Sequence, residues 1–411
     1  MLASLKKKYV APASFYRRVG AVAIPIALQQ ILNQAAGFVD TIMVSSIGGV
    51  AAVAVATQLD TIMANVGFGI NSGASIYAAQ FYGAEDYQSL KKVFGLEIMI
   101  NMINALFFMA VAIFFGSSVL AFYSGDAEVV KVGLSYLSIS CLAYVFSSLT
   151  NAYSFVYRSI QKTHIPMYIG IQVMIVNIIF NYLLIFGKFG FPAMGVAGAA
   201  LATLIATVSG TCTHVIYAWK TKQPFLGTFQ EMFHQRMSFV KPVVKRMFPL
   251  ICNEAFFGFG TSLYVKAFGM LGSRSLEIYK IGNTVANFFF IFAAGLNNAT
   301  SLMLGSVLGK GDIKEAQKYG NYFVLMACIF AVVAGVGIIV FADPMVGLFG
   351  MSDPSMHEGA VLIVRLFAIR IAFRMFIVII MASLRAGGDS LFLMFLDGGI
   401  MWTVGLPLAF I

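Results

Sequence analysis

A chain of 411 residues with 60% hydrophobic side chains, only 11% charged ones and a mean hydropathy of +0.87 is not an ordinary soluble globular protein. Its length suits about a dozen membrane-crossing helices joined by short loops. The net charge of +10 does not point to nucleic acid, because no dense basic run interleaved with aromatics occurs.

The first apolar stretch, Val19 to Ile47, carries a single charge, Asp40. About 20 apolar residues cross a bilayer, so this stretch predicts a transmembrane helix, too long and without the small-residue cleavage site of a signal peptide. A carboxylate inside such a helix costs about 2.5–3.5 kcal/mol on insertion scales, and membrane carboxylates are functional by default. The plainer role for Asp40 is a neutralised acid that glues helices together. Gln30, Asn33, Gln34 and Thr41 accompany it, and Asn33, Gln34, Gly37 and Asp40 fall near one face. Pro25 is tolerated because neighbouring helices can satisfy the freed carbonyl.

Eleven apolar segments follow one another, at roughly 19–47, 50–82, 93–123, 129–158, 165–187, 194–219, 247–272, 278–309, 319–349, 357–384 and 391–411. Several exceed what the hydrocarbon core needs, so they must tilt, kink or project into water. With the N-terminus inside, nineteen basic residues fall on the inner side, and the outer loops hold only Lys188 and Arg274. That asymmetry predicts a cytoplasmic N-terminus. The longest polar interruption, from Lys220 to Arg246, reads as a cytoplasmic linker with an amphipathic piece on the inner membrane surface. The expected organisation is a bundle over 1–222, a linker over 223–246 and a second bundle over 247–411.

The halves repeat. At an offset of 226, Gly69, Asn71, Ser75, Gly83, Asp86 and Lys92 meet Gly295, Asn297, Ser301, Gly309, Asp312 and Lys318. At 224, Pro25, Gln30 and Gly48 meet Pro249, Glu254 and Gly272, while the partner of Asp40 is Tyr264. Both halves start on the same side after an even number of spans, so the repeat is parallel.

Enzyme signatures are missing from the sequence. His164, His214, His234 and His357 are scattered, and no GxSxG elbow or GxxxxGK[ST] loop occurs. Cys141, Cys212, Cys252 and Cys328 lie in separate apolar stretches and read as small buried hydrophobes. Without a nucleotide motif, transport must be driven by an ion gradient or be passive. No cofactor is expected.

VDTIMVSSIG (39–48), GINSGASIYAAQFYG (69–83), NYLLIFGKFGFPAMGVAGAALAT (181–203), PLICNE (249–254) and LRAGGDSLFLMFLDGGIMWTVGLPLAF (384–410), in this order and spacing, resemble the multidrug and toxic compound extrusion (MATE) transporters. The match runs over essentially the whole chain and is strongest to members from Gram-positive and other anaerobic bacteria. It implies an all-α polytopic membrane protein of two pseudo-symmetric six-helix bundles facing each other in a V. It also implies export of bulky, often cationic organic compounds in exchange for Na⁺ or H⁺, from a bacterial inner membrane, by a monomer. The family has twelve helices and this chain ends at Ile411 with the eleventh, as a fragment or without the last helix. Some members carry an aspartate where this chain has Asn181, and Arg370 and Arg374 stand where apolar residues are expected.

The resemblance assigns Asp40, Asn177, Asn181 and Thr203 to a cation site. A hard cation such as Na⁺ takes about six oxygens, which amides, a hydroxyl and a carboxylate can supply. The same carboxylate could carry a proton instead, and interhelical hydrogen bonding is the plainer role of the asparagines. Gln34, Glu254 and Asp397 are candidates for substrate binding or a second acidic site; Glu254 could also pair with Lys266, Lys280 or an arginine of the tenth segment. Asp389 reads as a helix cap, and Asp60 and Glu97 as paired acids. The runner-up activities are a lipid-linked oligosaccharide flippase of the same superfamily, for which Arg370 and Arg374 are the only hint, and a membrane-embedded transferase. The expected partners are the bilayer and small cationic or amphipathic drugs or dyes, not nucleic acid.

Overall fold

A computed structural model describes residues 10–123, 126–270, 273–347 and 354–410; within these ranges some side chains, including those of 265–289 and of residue 397, fall outside the description. Helices follow from the composition: in lipid every backbone N–H and C=O must be satisfied within its own segment. The helices are α1 (Ala13–Ser45), α2 (Val50–Gly83), α3 (Tyr87–Tyr123), α4 (Ala127–Ser159), α5 (His164–Phe186) and α6 (Val196–Lys220). After them come the short α7 (Phe229–Phe233), then α8 (Met237–Met270), α9 (Ser273–Gly309), α10 (Ile313–Gly347) and α11 (Pro354–Gly387). The chain closes on a helical rod made of α12 (Ser390–Met394), two π-helical turns (Phe395–Gly399 and Met401–Gly405) and α13 (Leu406–Ala409). Each of the eleven apolar segments thus becomes one long helix or the final rod.

By length and hydropathy alone, α1 to α6 and α10 qualify as membrane spans among the described residues. Their outer faces agree: Phe114 is 78% and Phe122 83% exposed on α3, and Val332, Val333, Val336 and Val340 project from α10. Apolar surface on that scale needs lipid against it.

The chain divides into two compact units, Leu28–Ala255 and Met1–Ala27 with Phe256–Ile411. In the first, α2 packs on α3 and α4, α4 on α6, and α5 on α6. Its core is aromatic at one end, where Phe94, Tyr153, Tyr157 and Phe225 meet edge to face. Amphipathic α7 closes that end through a Thr228–Glu231 capping box and a 3.1 Å Lys91–Glu231 ion pair. The start of α8 also belongs here: a Cβ on Gly69 would lie 2.7 Å from the Ile251 Cα, and one on Gly73 2.9 Å from the Met247 side chain.

In the second unit, α9 and α10 both pack on α11, with Ala331, Ala334, Ile338 and Ala342 against Val361, Val364, Ala368 and Ile371. Small residues let such helices approach closely in a membrane. The start of α1 belongs here: Phe15 sits among Tyr319, Tyr322 and Phe323, and Arg18 donates to the Tyr319 hydroxyl at 2.8 Å. A Cβ on Gly295 would lie 2.7 Å from the Ala23 carbonyl oxygen. Asp389 caps the final rod by accepting from Phe392 N, and Trp402 donates to the Phe256 carbonyl at 3.2 Å.

The repeat is visible in these contacts. Gly69 against Ile251 becomes Gly295 against Ala23 and Ala27, each half lending the first turns of its leading helix to the other half's unit. Asp86 and Asp312, partners at offset 226, do the same job at the starts of α3 and α10: each accepts from the backbone N–H three residues on, at 3.0 and 2.8 Å.

Candidate cation site

Three helices of the Leu28–Ala255 unit build this site. Asp40 lies half-buried on α1, and Asn177 and Asn181 are buried on one face of α5, four residues apart. Thr203 sits on α6. Helix α5 ends at Gly187, whose left-handed backbone (φ 64°) caps it, and α6 returns with Gly198 so close that a Cβ there would lie 2.6 Å from the Leu184 carbonyl oxygen. That approach brings the Thr203 hydroxyl to the α5 asparagines.

The polar groups form one chain. Asn181 Nδ2 donates to Asp40 Oδ1 at 2.5 Å and to Asn177 Oδ1 at 3.1 Å. Asn177 Nδ2 donates to Thr203 Oγ1 at 3.4 Å, and Thr203 donates to the Ala199 carbonyl at 3.1 Å. Asn181 turns its donor, not its oxygen, to the carboxylate. Asn181 Oδ1 is buried with no hydrogen-bond partner among the described residues. It is therefore a free oxygen ligand beside the carboxylate, and a turn of the Asn181 amide would exchange it for the donor now facing Asp40. The donor set fits a small hard cation or a proton.

The MatE family model matches residues 25–183 and 249–411, one stretch in each half, starting 224 residues apart at Pro25 and Pro249. The chain belongs to the MatE family. It is a membrane transporter, not an enzyme. A relative in Bacillus subtilis, "Uncharacterized transporter YisQ", is 28% identical over 94% of this chain and 85% of its own length. "Probable multidrug resistance protein NorM" of Thermotoga maritima is 24% identical over 95% of this chain and 84% of its own length. A MATE transporter of Vibrio cholerae, VcmN, shares the fold with a TM-score of 0.88 at 16% identity, over 96% of this chain and 89% of its own.

Elsewhere in this MatE chain the remaining candidates are dispersed. Gln34 is exposed on α1, six residues before Asp40, and Glu254 is half-buried on α8. The backbone of Asp397 lies in the first π-helical turn; its side chain falls outside the described residues, as do those of Lys266 and Lys280. The two unexpected arginines of α11 meet aromatic rings: Arg370 lies 5.0 Å over Phe367, and Arg374 lies 5.5 and 4.9 Å over Phe257 and Phe290. The expectation of buried cysteines holds for Cys141 but not for Cys212, which is exposed; all four are free thiols. A cysteine on a lipid-like outer face needs no burial, because its surroundings are apolar either way.

The paired-acid expectation splits. Asp60 accepts from the Tyr144 hydroxyl across α2 and α4, whereas Glu97 has no partner among the described residues. Arg158, the last residue of the 129–158 segment, is only 8% exposed and donates to Gln29 at 2.6 Å. Its place at the end of an apolar run hid that burial.

Proposed function

We propose that the chain is a cation-coupled antiporter that exports bulky, often cationic organic compounds by alternating access. The observation that carries this reading is the single hydrogen-bonded chain from Asp40 through Asn181 and Asn177 to Thr203, in a family whose members include proteins named as multidrug resistance proteins. Na⁺ or H⁺ binds at Asp40. With the carboxylate bare, Asn181 donates to it; with Na⁺ bound, the amide turns and offers Oδ1. The two ligands of an antiporter need only oppose one another in a single conformational equilibrium. The bundles over 1–222 and 247–411 handle the substrate, with Gln34, Glu254 and Asp397 as contributing polar groups and 223–246 as the cytoplasmic linker. The chain works as a monomer in a bacterial inner membrane, its N-terminus cytoplasmic on the strength of the basic-residue asymmetry.

The test is ethidium efflux from energised cells. Asp40→Asn should abolish export while the protein still reaches the membrane; equal export by the variant and the wild type would sink the mechanism. Replacing Na⁺ by choline at fixed pH, then collapsing the pH gradient, identifies the coupling ion.

A further inference from the structure

The Leu28–Ala255 unit contains a second buried acid that the coupling chain does not use. Glu97 is 1% exposed on α3, and neither carboxylate oxygen has a hydrogen-bond partner among the described residues. Asn101, one turn on along the same face, is equally buried. Its Nδ2 donates to Asn71 Oδ1 of α2 at 2.6 Å and to the Glu97 carbonyl at 2.9 Å. Its Oδ1 is therefore fixed in direction, and it too has no partner among the described residues. Asn104, the next polar residue on this face, donates to the Met63 carbonyl at 3.3 Å. A polar seam thus runs between α2 and α3 in which the Asn101 and Asn104 amides donate and the Asn101 amide oxygen, beside Gly67, is left over; the unpartnered Glu97 carboxylate stands one turn before it on α3.

An ionised carboxylate left without a partner in such a place is strongly disfavoured even after relaxation. Among the described residues no nearby cation relieves it. No titratable or charged group described on the helices packed against α3 hydrogen-bonds to the Glu97 carboxylate. On α2, Asp60 accepts from Tyr144, and Tyr77 is directed to the Pro242 carbonyl and Arg246; Tyr82 packs beside Tyr87. On α4, Arg158 donates to Gln29 and lies over Phe155, while Tyr153 and Tyr157 stack on His214, the Tyr157 hydroxyl having no hydrogen-bond partner among the described residues. On α7, Glu231 is paired with Lys91 at the surface. The two free oxygens of Glu97, even joined by Asn101 Oδ1 from the next turn, are too few for Na⁺, which takes about six. They suit a proton: one oxygen carries it, and a neighbouring acceptor receives it.

We propose that Glu97 and Asn101 form a second proton-binding site in this unit, separate from Asp40, in which the Glu97 carboxylate takes up a proton and its O–H donates to Asn101 Oδ1. The reading does not depend on Asp40 being the coupling residue, and it gives the unit two acids that load independently.

The test is infrared difference spectroscopy between alkaline and acidic pH on the full chain reconstituted in lipid, following the carbonyl stretch of protonated carboxylic acids. The wild type should show such a band at a position typical of a buried acid. Glu97→Gln should remove it, Asn101→Leu should shift it upwards by removing the acceptor, and Asp40→Asn should leave it in place. A band unchanged in Glu97→Gln overturns the proposal, and so does a band that Na⁺ alone removes at fixed pH, since that makes the site a sodium site. Where Glu97→Gln does not fold, Glu97→Asp serves: a displaced band supports the assignment and an unmoved one refutes it.

Discussion

Replacing Asn181 by leucine separates the two possible coupling ions. The side chain is similar in volume, so the change removes two hydrogen bonds without opening a large cavity. The bond to Asp40, at 2.5 Å, is charge-assisted, and the one to Asn177, at 3.1 Å, is neutral. Hydrogen bonds to charged groups contribute about 1.5–3 kcal/mol in soluble proteins, while interhelical bonds in membranes reach at most about 1.7 kcal/mol. We therefore take about 1.5 kcal/mol, which is about tenfold in an equilibrium constant. The amide stabilises the bare carboxylate, so its loss favours loading. If the coupling ion is a proton, half-maximal ethidium export by proteoliposomes should occur at about tenfold lower proton concentration. If it is Na⁺, the variant also loses Asn181 Oδ1 as a ligand, and more Na⁺ should be needed. Initial rates measured against pH at fixed Na⁺, and against Na⁺ at fixed pH, read the two outcomes directly. A variant with wild-type half-saturation for both ions would refute the role given to Asn181.

Other expectations address the scaffold. Gly69→Ala and Gly295→Ala each force a Cβ to 2.7 Å from backbone, so each should lower stability by about 1–3 kcal/mol; thermal melting in detergent should show both losses, and Gly37→Ala, with nothing within 4 Å of its Cβ, should melt no lower than the wild type. The Glu231 carboxyl is held below its ordinary value by the Thr228 backbone N–H and then by Lys91. Its contribution is thus present above the ordinary carboxylate range and lost as pH falls through the depressed value. Glu231→Ala should speed hydrogen exchange over 228–236 at neutral pH, with the difference from wild type disappearing in acid. Arg374→Met removes two ring contacts worth about 0.5–2 kcal/mol each and should lower the melting temperature without moving the ion dependence of export; a moved ion dependence would place Arg374 in the coupling machinery.

The fold was legible because lipid leaves a chain few options. Runs such as 93–123 have to become helices, and their ends were marked by Gly83, Gly187 and the acidic caps Asp86 and Asp312. Two features were not legible. The first was which half each leading helix serves, because α1 and α8 are continuous in sequence and only the packing of Gly295 on Ala23 and Gly69 on Ile251 reveals the exchange. The second was which intramembrane acids are paired. Asp60 and Glu97 look alike in sequence, each lying within an apolar run. Tyr144 is 84 residues from Asp60. No periodicity predicts that a hydroxyl on another helix arrives at one acid while, among the described residues, nothing arrives at the other. Asn177, Asn181 and Thr203 could be grouped with Asp40 only through family resemblance, since no local pattern links residues on α1, α5 and α6.

Positions that the two halves share are those where backbone geometry dictates the residue. A glycine is needed wherever one helix backbone presses on another, and an aspartate wherever a helix begins just after a tight turn; both recur at offset 226. Positions that carry charge inside the membrane do not recur. Tyr264 stands at the offset of Asp40, and Glu254 at that of Gln30. Phe323, at the 226 offset of Glu97, is fully buried in an aromatic cluster around Phe15. Duplication therefore kept the packing scaffold and let the polar chemistry diverge. The consequence is an unequal pair of units, in which the Asp40 chain and Glu97 both lie in Leu28–Ala255.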